Sequence, residues 1–118
     1  METRQAIISF SQSEKVKSGL IWCTQCAHIL QNMPNPEMQG GLRLLQALIA
    51  MLGNEVQVAR QASGDPIWLE VERHLNNARV MVDSGVGHEA DFHLTHALSQ
   101  VNRIGQKSMT FLVEKGLV

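Results

Sequence analysis

Tyrosine is absent from this chain, and only two tryptophans and three phenylalanines occur among its 118 residues. With so few rings, stacking platforms for single-stranded nucleic acid or for sugars are hard to assemble. An excess of charge of one sign is missing too: ten Lys and Arg stand against eleven Asp and Glu, a formal net charge of -1. Phosphate recognition needs a basic face. The densest basic pairs, Lys15 with Lys17 and Arg103 with Lys107, read as solvated helix faces. No nucleic-acid partner is therefore expected.

Long apolar runs are lacking as well. Ala47–Leu52 is far too short to cross a bilayer, so no membrane partner is expected. Met1 to Gln12 has neither the basic start nor the apolar stretch of a signal peptide. With only two cysteines and no such segment, reduced thiols and a cytoplasmic location are the expectation. Neither a Gly-x-Ser-x-Gly elbow nor a phosphate-cradling glycine loop occurs. An enzyme is thus the weaker expectation.

What the chain does have is apolar residues, 44% of the total, carried by Leu, Ile, Val, Ala and Met at helical spacing. Between Gly41 and Ala62, residues Leu42, Leu45, Leu48 or Ile49, Leu52, Val56 and Ala59 form one wide face. Leu44, Met51 and Val58 add a second stripe at seven-residue steps, and no charge falls between Leu44 and Gly53. A helix this apolar on so much of its surface is buried centrally or shared with a partner.

Three further segments share the period. Val16, Leu20, Cys23, Ala27 and Leu30 mark a first helix, capped by Ser11 or Ser13 and ended by Pro34 and Pro36. Asn35-Pro36-Glu37 opens the second, whose regular start is expected nearer Leu42 because Gly40 and Gly41 weaken the first turn. Ser63-Gly64 stops it. Asp65 caps a third helix over Trp68, Val71, Leu75, Ala78 and Val82, widened by Ile67, His74 and Met81. A fourth starts near Gly87, with a seam of Ala90, Leu94, Ala97, Val101, Ile104, Ser108 and Leu112, and stops at Gly116. Short connections predict an all-α, antiparallel, up-down-up-down four-helix bundle as one domain over residues 1–118. Residues 1–12, with Ile7, Ile8 and Phe10, are expected to be a flexible or packing arm.

Four constellations bear on chemistry. Cys23 and Cys26 lie mid-helix, away from the helix start that activates a redox thiolate, and read as small core residues. Trp22 and Trp68 read as core anchors. Glu89, His93 and His96, spaced four and three, share one helix edge, and an antiparallel third helix brings His74 towards them. Two imidazoles and a carboxylate match a zinc or non-haem iron ligand set by type. Against this, the chain lacks the paired Glu-x-x-His motifs of di-metal bundles, so no bound cofactor is expected and zinc or iron is the alternative. Finally, His96-Ala97-Leu98 is faintly similar to the His-x-Leu-Lys-Gly stretch of histidine phosphotransfer bundles. Ser99 and Gln100 stand where Lys and Gly belong, which removes the charge that would steady a phosphoryl group.

The expectation is a small adaptor or chaperone-like module that binds or assembles protein. A homodimer joined by Leu44, Met51 and Val58 is favoured, with another protein as the alternative partner. A metal protein at Glu89, His93, His96 and His74, or phosphotransfer at His96, would be different classes of function.

Overall fold

The computed structural model describes residues 1–118, apart from the side chain of His88. It contains four helices: α1 (Thr3–Leu30), α2 (Asn35–Ser63), α3 (Ile67–Asp83) and α4 (Gly87–Glu114). The described residues form no strand. Each helix packs on two others: α1 and α3 both contact α2 and α4. The result is a four-sided bundle 53 Å long and 21 by 18 Å across.

The periodic faces of all four helices point inward. Leu20, Ile49, Leu75, Leu94 and Ile104 are among the largest fully buried side chains, and Trp68 is the largest of all. Seams at steps of three and four residues bury a stripe on each helix, and four such stripes close one core. The helix stops follow the glycines. Gly64, Gly85 and Gly116 adopt left-handed φ values of 70°, 78° and 72°, a conformation that costs other residues a Cβ clash. Asp65 caps α3 as expected, its Oδ1 accepting the Ile67 N–H at 3.0 Å.

Two expected starts are corrected. The arm over residues 1–12 is not separate, because α1 begins at Thr3. The Glu2 N–H donates to Gln5 Oε1 at 3.1 Å there, satisfying a donor at the helix start. Ser13 does not cap. Its hydroxyl donates to the Phe10 carbonyl at 2.7 Å within the continuing helix. Ala6, Ser9 and Ser13 are buried and extend the seam of Val16 and Leu20 backwards. They are small because α4 lies close: a Cβ on Gly105 would stand 2.9 Å from Ser13 Oγ.

Likewise, α2 begins at Asn35 and runs through Gly40 and Gly41 without interruption. Gly41 is there for packing. A Cβ on it would collide with Leu30 Cδ2 of α1, as one on Gly19 would with Leu52 Cδ2 of α2. Two glycines thus set the close approach of α1 and α2, which offsets their cost to helix propensity.

Helix α3 has 17 residues where the others have 28 or 29. At 1.5 Å per residue it is shorter than its neighbours by roughly 17 Å. Beside the α3–α4 connection this leaves a cleft of about 230 Å³, lined by Leu30, Met38, Leu42, Leu45, Gly85 and Gly87.

Candidate functional site: an uncharged helix face and a histidine cluster

Helix α2 buries Leu45, Ile49, Leu52, Val56 and Ala59 and turns its second stripe to solvent. Leu44 is 72% exposed, Met51 64% and Val58 53%. Nothing folds back over them, because the segment with Ile7, Ile8 and Phe10 continues α1 instead. Ala47 and Asn54 are also exposed on this helix, so its outer surface carries no charge between Leu44 and Asn54. Monomeric proteins expose single apolar side chains freely; here three stand at seven-residue steps along one helix.

Beside that stripe, helix α1 exposes a residue whose type suggests a core anchor. Trp68 is fully buried as expected, whereas Trp22 is 60% exposed. Lys15, Trp22 and Ile29 recur at seven-residue steps just outside the seam of Val16, Cys23 and Leu30, and that spacing is the signal for an exposed position. Trp22 borders a groove of about 200 Å³ with Gly19, Leu48 and Met51. At its rim Lys15 Nζ lies 3.1 Å from Glu55 Oε2. Gln12 Nε2 also donates to the Glu55 carbonyl at 3.4 Å. The Lys15 hydrogen bond, aided by Gln12, holds the Glu55 carboxyl below its usual range.

The second region lies on α3 and α4. His74 of α3 stacks on His96 of α4 with ring centroids 5.3 Å apart, and His93 lies 6.5 Å from His74. Phe92 packs 4.4 Å from His96 and 5.3 Å from His93. Burial, then the Arg73 charge and the other two imidazoles, push the His74 pKa below the usual histidine value, with Glu70 opposing. The fold therefore brings together three of the four residues of the alternative metal set, His74, His93 and His96. Glu89 is exposed and takes no part in these ring contacts. Among the described residues, no three His, Cys, Asp or Glu side chains stand ready to hold an ion. His96, the phosphoacceptor of the second alternative, lies between two rings and has Ser99 and Gln100 beyond it rather than a lysine. His28 serves elsewhere, its Nε2 lying 3.1 Å from Asp91 Oδ2 across α1 and α4.

The cysteines are free thiols, Cys23 buried and Cys26 half-buried rather than in the core. Burial, with a smaller contribution from Cys26, pushes the Cys23 thiol up to about 11, so it is a poor nucleophile at neutral pH.

Comparison with known proteins finds no matching family model, no matching curated protein and no matching solved structure.

Proposed function

We propose that this chain is a non-enzymatic protein–protein interaction and assembly module, an antiparallel up-down-up-down bundle that pairs as a homodimer through the outer face of α2. The observation that carries this reading is the exposure of Leu44, Met51 and Val58, with no charged residue from Leu44 to Asn54. The direction of the helices is supported by contacts running in opposite order: Gln12 meets Glu55, Gly19 meets Leu52, and Gly41 meets Leu30. Similarly, Ser13 adjoins Gly105 while His28 meets Asp91.

The stripe suits a second copy of itself. Leu44 and Val58 each lie seven residues from Met51. A twofold axis at Met51 would set Leu44 of one protomer against Val58 of its partner along the whole stripe. Exposed Gly40, Ala47 and Ala62 let the backbones approach. With Trp22, the exposed side chains amount to on the order of 500 Å² of apolar surface per protomer, at the upper end of what monomers show. Each fully buried Leu, Met or Val contributes about 1.5–3 kcal/mol. Doubled by symmetry, the stripe matches an association cost of about 4–15 kcal/mol. Another protein with an apolar helix is the alternative partner. No helix is long and apolar enough to cross a membrane, and the free thiols suit a reducing compartment such as the cytoplasm.

Light scattering at micromolar concentration tests the reading. The expected mass is twice 13.1 kDa; a monomer mass for the wild type contradicts it.

A further inference from the structure

The apolar stripe of α2 does not stand alone. Met51 lines the same groove as Trp22 of α1, so both helices present exposed apolar side chains on one side of the bundle. Resting on the reading that the chain pairs through α2, we propose that this groove is the seat of Trp22 from a second copy. Each protomer inserts its indole beside that of the other.

Symmetry is the first support. Lys15 and Glu55, whose charged groups lie 3.1 Å apart, close one end of the groove. Seven residues along each helix, about 10 Å at 1.5 Å per residue, Trp22 and Leu48 line the other end. Gly19 meets Leu52 midway, at the height of Met51. Setting Leu44 against Val58 requires a twofold axis perpendicular to α2. Because Met51 and Trp22 face the same way, that axis also crosses α1 and lays α1 over its own copy. The rotation exchanges the two ends of the groove. The partner's Trp22 therefore falls opposite the end that this chain's Trp22 occupies, over Gly19 and beside Lys15.

Space is the second support. Glycine offers no side chain at that point, and a Cβ on Gly19 would collide with Leu52, so the floor of the groove stays bare. The groove holds about 200 Å³, and Trp22 is 60% exposed. Area is the third. The stripe with Trp22 exposes on the order of 500 Å² of apolar surface, whereas a standard interface buries about 800 Å² per partner. Pairing through α2 alone falls short. Seating the indole also covers Gly19, half-buried Leu48 and the stem of Lys15, and it draws in Ile29, 58% exposed and seven residues beyond Trp22.

The chemistry of the seat suits an indole. The Lys15 ammonium stands at its edge, where a cation attracts the face of a tryptophan ring. Glu55 keeps that ammonium paired, so covering the rim strands no lone charge. Met51 is unbranched and adapts to the ring beside it.

The test is iodide quenching of tryptophan fluorescence in the wild-type protein, over a dilution series that spans dimer and monomer. Trp68 is fully buried, so the anion reads Trp22. Sedimentation velocity gives the dimer fraction across the same series. Quenching is expected to fall as the dimer fraction rises, with the same midpoint. Trp22→Ala should raise the dimer dissociation constant about thirtyfold, as loss of an interface hot spot does. Leu69→Ala, a change at an exposed leucine of α3, should leave it unaltered. A dimer whose Trp22 stays as open to iodide as in the monomer overturns this proposal and leaves pairing through α2 standing. So does a Trp22→Ala variant that dimerises like wild type. A chain that remains monomeric throughout overturns both.

Discussion

The outer face of α2 and the outer faces of α3 and α4 both expose large apolar side chains, but several of these differ in the charges that neighbour them. Leu69 and Val80 on α3 and Val113 on α4 are each about half exposed. Leu69 has Glu70 and Arg73 beside it, Val80 has Arg79 and Asp83, and Val113 adjoins Glu114. Leu44, Met51 and Val58 have Ala47, Ala50 and Asn54 between them, with Arg43 and Glu55 at the borders of the uncharged run. Charged neighbours must be desolvated before a partner can cover an apolar side chain, which cancels much of the gain. The α2 stripe from Leu44 to Met51 is therefore easier to cover than Leu69, Val80 or Val113.

The largest effect should come from placing charge where it is missing. Leu44→Asp with Met51→Asp should convert the dimer wholly to monomer while helical circular dichroism persists. The matching change on the other side, Val80→Asp with Val113→Asp, should leave the mass unaltered. An equal response to both pairs would break the contrast between the faces.

The two tryptophans sharpen it next. Trp68→Ala should cost about 3–5 kcal/mol in unfolding free energy, as loss of a buried ring does. Trp22→Ala should shift chain stability by no more than about 0.5 kcal/mol when measured in a monomeric background. It should, however, weaken dimerisation in the wild-type background. Denaturant titration and dilution experiments read the two separately.

A smaller effect concerns acid. The Lys15 hydrogen bond holds the Glu55 carboxyl below the ordinary glutamate value of 4.5. Its contribution to stability is therefore fully present above that value and is lost as pH falls through the folded pKa. Melting temperatures between pH 6 and pH 3 should fall less steeply for Glu55→Gln than for wild type, because the variant lacks that carboxylate. The smallest effect is on labelling: a thiol reagent at neutral pH should modify half-buried Cys26 before Cys23, whose thiol is pushed up to about 11.

Most of the fold was legible because the seams of α2, α3 and α4 are written in Leu, Val, Ile and Ala at helical steps, and every one of the α4 seam residues from Ala90 to Leu112 is buried. The start of α1 was not. Its seam there consists of Ala6, Ser9 and Ser13, chosen for small size against a close α4, and serine reads as polar or capping in a hydropathy pattern. Gly40 and Gly41 misled for a related reason: in sequence they weaken a helix, while in space Gly41 makes room for Leu30. Trp22 shows that residue type is a poor guide to side, since its place outside the seam outweighs its hydrophobicity. The histidines were half legible. His93 and His96 share an edge by spacing alone, but the stacking of His74 on His96 depends on how α3 and α4 align, which no single helix encodes.

The most direct measurement places a cysteine on the proposed twofold axis. A disulfide needs two Cβ atoms about 3.5–4.5 Å apart, and residue 51 meets its own copy there if the axis is correctly placed. In a Cys26→Ser background, Met51→Cys should form a covalent dimer rapidly in mild oxidant at micromolar protein. Val80→Cys should remain monomeric under the same conditions. Rapid cross-linking of Val80→Cys, or none for Met51→Cys while the chain stays dimeric, would contradict the assignment of the interface to α2.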